Sequence, residues 1–252
     1  MNASVARATP PKELGFVAKT MLLARKDLLV EARGKETLPA MLAFSFAVVL
    51  MLAFTLPADS SIRAEIDIGP GVVPLHQVLA GFLWVTVLFA GLIGFARGVE
   101  VERAEGALDP LVLAPLDRSG LFASKAISNL LSIVVLEIFL IPLFGLLFGV
   151  NLQRDWFVLW VVIILVDIGF VTVGTLFSAL AAQTRSRELM LPILALPVLV
   201  PIFIAATELT SDLFAGADMG TVATRGWFAI LVASDVVFAV VGALAFEFVV
   251  ER

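Results

Sequence analysis

Six separate stretches of this chain, each close to 20 residues or somewhat longer, are almost free of charge. They cover residues 38–56, 78–96, 126–150, 156–181, 189–206 and 227–250. The hydrocarbon core of a bilayer is about 30 Å thick, and a helix crosses it with about 20 residues. Hydrocarbon offers no partner for backbone N–H and C=O groups, so a single crossing segment must be helical. The pattern predicts an all-α integral membrane protein with six transmembrane helices. Together the six consume about half of the 252 residues, which leaves no room for a soluble domain of ordinary size. The expected organisation is a flexible tail at 1–12 and one transmembrane domain at 13–252.

Composition agrees. The chain is 60% hydrophobic and 15% charged, with a mean hydropathy of +1.05, whereas soluble domains are about a quarter charged. There is no cysteine and one histidine, His76. Thiol chemistry, disulfides and a multi-histidine metal centre are therefore excluded for a single chain. A net charge of −5 argues against nucleic acid as a partner. The first 11 residues have no apolar core or cleavage signal, so no removable leader is expected there.

Orientation follows from the basic residues outside the spans. The N-terminal segment carries seven, the loop after span two carries four, the loop after span four carries Arg185 and Arg187, and the C-terminus carries Arg252. The remaining loops hold only Arg63, Arg154 and Arg225. Fourteen against three places both termini in the cytoplasm. Trp156, Trp160 and Trp227 fall near span ends, where indole rings favour the interface. Ahead of span one, Leu14, Val17, Met21, Ala24 and Leu28 recur at helical spacing, while Lys12, Lys19, Lys26 and Arg33 recur every seven residues. This predicts an amphipathic helix over 14–36 lying on the membrane surface.

Motifs for nucleotide hydrolysis, serine catalysis and zinc proteolysis are all missing, so the chain is read as a non-enzyme. Any energy would come from a gradient or a partner subunit. The segment from Arg97 to Lys125 is the most informative. Glu102, Arg103, Glu105 and Asp109 precede the apolar run Leu111, Val112, Leu113, and Pro110 and Pro115 bracket that run. A short charged-then-apolar element in a cytoplasmic loop suits docking in a groove of another protein; a plain solvated connector is the other reading.

The stretch Glu102-Arg103-Ala104-Glu105-Gly106-Ala107-Leu108-Asp109-Pro110-Leu111, followed by Pro115 and Lys125, resembles the acidic loop of the haem exporter protein B (CcmB) family. A second stretch, from Arg187-Glu188-Leu189-Met190-Leu191-Pro192 through Pro197 and Pro201 to Ile204, is similar to that family's proline-marked fifth span. The resemblance implies an ABC-2-like permease subunit in a bacterial inner membrane, acting in cytochrome c maturation. It implies a homodimer paired with a cytoplasmic ABC ATPase that carries the ATP, beside other maturation proteins and a haem chaperone. Glu102, Arg103, Glu105, Gly106, Leu108, Asp109 and Leu111 would belong to the ATPase-coupling loop (97–125), and the amphipathic helix would be the elbow on the inner leaflet. The chain itself is expected to bind no cofactor, with haem a candidate cargo. The alternatives are an ABC-2-like exporter of a drug, lipid or polysaccharide, and a membrane scaffold that transports nothing.

Inside the spans lie the carboxyl residues Glu137, Asp167 and Asp235, with no Lys, Arg or His in any span to pair with them. Glu137 and Asp167 each fall about 16 Å from a span end at 1.5 Å per residue, which puts both near the midplane and predicts that they face each other. Two readings stay open: the lining of a pathway or gate, or a neutral interhelical hydrogen bond. Pro192, Pro197 and Pro201 predict either a bending span or a statically kinked one. His76 is expected to be an exposed loop residue. Gly91, Gly94 and Gly98 offer a close-packing face for another helix, a homodimer seam included. Residues 209–226 are expected to form an outer interfacial loop, which in ABC-2-like permeases resembles a re-entrant exit segment.

Overall fold

The computed structural model describes residues 15–34, 37–56, 65–67, 72–104, 118–150, 156–182 and 187–249. In chain order the elements are α1 (Phe16–Gly34), α2 (Thr37–Thr55), β1 (Glu65–Asp67), β2 (Val72–Pro74), α3 (Leu75–Ala104) and α4 (Arg118–Phe148). They continue with α5 (Trp156–Ala182), α6 (Arg187–Phe214), α7 (Met219–Thr224) and α8 (Gly226–Val249). Among the described residues, five helices are long and apolar enough to cross a bilayer: Thr37–Thr55, Leu75–Gly98, Ser119–Phe148, Trp156–Ala181 and Met190–Phe214. The protein is therefore a multi-pass membrane protein. In α8 the described apolar stretch, Gly226–Gly242, is shorter.

Every apolar run is found as a helix, yet three helices outrun the runs that predict them. The α3 helix continues eight residues past the expected span end at 96, α4 starts eight residues before 126, and α6 continues eight residues past 206. Charged residues such as Glu102, Arg103 and Glu208 end an apolar run but are good helix formers, so they do not end a helix. Two expectations are corrected by this. Residues 97–104 and Arg118–Lys125 are helical rather than loop, and residues 209–214 belong to α6. What remains between α6 and α8 is a turn through Gly216, at φ 95, and the short α7. Asp218 caps α7 by accepting from the Thr221 N–H at 3.1 Å, which satisfies one of the free donors of its first turn.

A small antiparallel hairpin lies between α2 and α3, with Glu65 opposite Pro74, Ile66 opposite Val73 and Asp67 opposite Val72. Pairings of three residues per strand are below what alternation can reveal in a sequence.

The bundle is organised around α5, which touches α3, α4, α6 and α8. Its residues Val162, Val166, Phe170 and Asp167 are fully buried, as expected for a helix apolar on all sides. The α2 helix lies against α3 and α4, and α1 lies against the first turns of α4. Packing in hydrocarbon gains little from apolar burial, because lipid tails are as apolar as leucine; close backbone approach supplies the contacts instead. Here glycines make that approach possible. A Cβ on Gly91 would collide with Phe170, and one on Gly174 would collide with Phe95. The rings of Phe95 and Phe170 meet edge to face with centroids 5.2 Å apart, and Phe170 meets Phe203 of α6 at the same distance. Gly94 receives the Met41 side chain of α2. Gly91 and Gly94 are thus used within the chain, while Gly98 has nothing within 4 Å.

Candidate functional site

Polar residues meet on the seam between α4 and α5. Two pairs share a single antiparallel register there. Asn129 Nδ2 donates to Thr175 Oγ1 at 2.9 Å, and the Glu137 carboxyl faces that of Asp167. Each pair is eight residues from the other along both helices, or about 12 Å. The register places Ile133 opposite Val171 between them, both fully buried. The seam therefore alternates polar, apolar, polar over about two helical turns.

Glu137 is 1% exposed and Asp167 0%, so both carboxyls are shut off from the surface of the chain. Each lies 11 residues from the α4–α5 connection, counted from Phe148 and Trp156, about 16 Å along the helix and so close to the middle of a bilayer core. Neither oxygen of Asp167, nor Glu137 Oε2, has a hydrogen-bond partner of standard geometry among the described residues. Two ionised carboxylates only accept hydrogen bonds, so a bond between them requires a shared proton.

Asp235 does not join this pair. It reaches from α8 to Gly169 on α5 and packs where a Cβ on that glycine would stand, beside Ile202 of α6. Gly169 is two residues from Asp167, and two helical residues differ by about 200° in direction. The three intramembrane carboxyls thus form one pair and one isolated group on another side of α5. Asp235 is 7% exposed, and both its oxygens lack a partner among the described residues. The same helix also carries Glu247 near its end.

The other sequence-predicted residues are placed as follows. Glu102 and Arg103 lie in the last turn of α3, whereas Glu105, Gly106, Leu108, Asp109 and Leu111 lie outside the described residues. Lys125 lies inside α4 and is 3.5 Å from Asp27 of α1, with both side chains largely buried. The α1–α4 contact also includes Ser128 Oγ donating to the Ala24 carbonyl at 3.2 Å, and Gly120 set against Phe16 and Thr20. Val17 and Met21 of the predicted apolar stripe remain exposed. Pro192, Pro197 and Pro201 all lie within the continuous helix α6, Pro197 and Pro201 on its exposed side. A further proline, Pro142, lies within α4. His76 is half-buried at the start of α3 rather than exposed, and its Nδ1 is enclosed without a partner among the described residues.

Sequence reasoning did not anticipate the polar contacts between α3 and α6. Trp84 Nε1 donates to Thr210 Oγ1 at 2.9 Å in a buried setting, and Gln77 Nε2 approaches Glu208 Oε1 at 3.5 Å. These partners are more than 120 residues apart in the chain, so only tertiary packing brings them together.

Residues 18–252 match the CcmB protein family. The chain belongs to the CcmB family. The match covers nearly the whole chain, with α3, α4, α5, α6 and α8 all inside it. Among curated relatives, heme exporter protein B of Rhodobacter capsulatus is 28% identical over 189 residues, covering 74% of this chain and 80% of that protein. Heme exporter protein B of Haemophilus influenzae is 27% identical over 143 residues, 56% of this chain and 63% of that protein. For this CcmB-family chain, then, the α4–α5 seam lies inside the region that defines the family.

Proposed function

We propose that this chain is the membrane permease subunit of an ATP-driven complex in cytochrome c maturation, with haem, or the haem-loaded periplasmic chaperone, as the species acted upon. Membership of the CcmB family carries this reading, and the names of the two relatives supply the haem connection. In this proposal the chain sits in a bacterial inner membrane with six crossings, α8 being the sixth, and with both termini in the cytoplasm. Two copies pair with two ATPase subunits, and the ATPase grips the segment from Arg97 to Lys125.

The structure supports a mechanical role for that segment. The α3 helix runs without a break from the spanning region through Glu102 and Arg103. A push on its end is therefore delivered along a rigid rod rather than dissipated in a flexible loop. The rod packs on α5 and α6, so the movement arrives at the helix that carries Asp167 and at the helix that carries Pro192, Pro197 and Pro201. In the same proposal α1 is the interfacial elbow. Its Thr20, Ala24 and Asp27 side faces α4, while Val17, Met21 and Leu22 are left for lipid and Arg25 and Lys26 for headgroups.

Co-purification with candidate ATPase subunits, followed by an ATP hydrolysis assay, tests the proposal. Stable capture of an ATPase is expected, and Glu105→Lys is expected to release or uncouple it. Failure of every ATPase to bind would assign the segment to a plain connector and favour a scaffold.

A further inference from the structure

A groove of about 320 Å³ runs between α3 and α6. Leu199 and Phe203 form its buried floor, and the half-exposed Val200 and Ile204 stand at its rim. One end is polar, where Thr207 and Glu208 line it. From Leu196 to Glu208 is twelve residues of α6, about 18 Å of helix. That length is close to half of a bilayer core about 30 Å thick. The groove thus has about the length of one leaflet, and its carboxylate follows the apolar run that ends at 206, six residues from the end of α6 at Phe214.

We propose that this groove is a lipid site, occupied by one acyl chain of a phospholipid whose headgroup bears a primary ammonium held by Glu208. The apolar length alone would take any acyl chain, because an unfilled groove forfeits dispersion contacts that a tail restores. Selection falls to the polar end. Gln77 approaches Glu208 at 3.5 Å, a weak contact that leaves acceptor sites on the carboxylate open. Asp212, one turn further along α6, adds a second carboxylate, and the neighbouring Arg225 is already bound to it at 2.9 Å. None of the groove-lining residues is basic. An ammonium donates charge-assisted hydrogen bonds to such a site, whereas a purely anionic headgroup meets repulsion. The groove is distinct from the buried carboxyl pair, and it does not depend on which cargo the complex handles.

Native mass spectrometry of the detergent-purified chain, equilibrated with equal amounts of phosphatidylethanolamine and phosphatidylglycerol, tests the assignment. The wild-type chain should retain one phosphatidylethanolamine, preferred on the order of tenfold, the factor supplied by one charge-assisted hydrogen bond. Glu208→Gln should bring that preference close to parity. Val200→Trp should fill the groove and abolish retention, while Val236→Trp, at an exposed position on α8, should leave it intact. If Val200→Trp lowers the melting temperature, Ile204→Trp replaces it at the second rim position. Absence of retained lipid, equal retention of the two lipids by the wild type, or retention that survives a groove-filling tryptophan would each overturn the proposal. A lipid-free dimer that the same tryptophan dissociates would assign the groove to a second copy of the chain and overturn it as well.

Discussion

The ring of Phe95 on α3 seats on Gly174 of α5, and one turn along each helix Phe170 of α5 seats on Gly91 of α3. Each aromatic is thus paired with a glycine on the facing helix, in a reciprocal clasp with the Phe95–Phe170 contact at its centre. Gly174→Ala places a Cβ inside the Phe95 ring and should destabilise the folded bundle by about 1–3 kcal/mol, the usual cost of overpacking. Gly98→Ala has open space and should be neutral, or more stable by up to about 1 kcal/mol, through helix propensity alone. Thermal unfolding in detergent separates the two, and equal effects would deny the clasp.

The Glu137–Asp167 pair predicts non-additive behaviour. Glu137→Leu leaves Asp167 buried with no facing carboxyl, and Asp167→Leu does the converse. Removing both together should cost less than the sum of the single losses, by about 1–3 kcal/mol, since an unpaired buried polar group is the expensive state. A double-mutant cycle on thermal stability measures this coupling. The formation of c-type cytochromes by the same variants separates function from folding: if the double variant is as stable as wild type yet inactive, the pair works in transport.

Asn129 and Thr175 offer a simpler case on the same seam. Thr175→Val removes the acceptor of the 2.9 Å bond and should cost about 0.5–1.5 kcal/mol, the range found for interhelical hydrogen bonds in membranes. Asn129→Leu should add little once Thr175 is already Val. Fully additive losses would mean that the two side chains do not interact in the membrane.

Lys125 and Asp27 hold α1 to α4. Asp27→Ala leaves the largely buried Lys125 ammonium with less compensation and should loosen α1, raising amide hydrogen exchange across Phe16–Gly34 while α5 stays protected. The Asp27→Lys, Lys125→Asp exchange should recover part of that protection. Because the pair is partly solvated, about 1 kcal/mol is the expected scale.

The absence of cysteine makes single-cysteine labelling a direct test of orientation. Met219→Cys, exposed on α7, should react with a membrane-impermeant maleimide in spheroplasts. Lys26→Cys on α1 should react only after lysis. The reverse pattern would invert the proposed topology.

Residue order alone determined that the chain is helical, membrane-embedded and without hydrolytic motifs. Those properties rest on local composition summed over about 20 residues, as the span over Trp156–Ala181 shows. It also placed Glu137 and Asp167 at equal depth, because depth is a count of residues from a span end. Helix ends were poorly legible: hydropathy reports where an apolar run stops, and helices such as α3 and α6 continue past it on charged residues of good propensity. Which face each residue turns to was decided by tertiary structure. Trp84 is buried against Thr210 while Trp156 is exposed, and Asp235 is separated from the other carboxyls by the direction of Gly169 on α5. Pairings between helices depend on how the apolar cylinders rotate against one another. In hydrocarbon that rotation is chosen by small notches and hydrogen bonds, since burying one apolar face is worth no more than burying another.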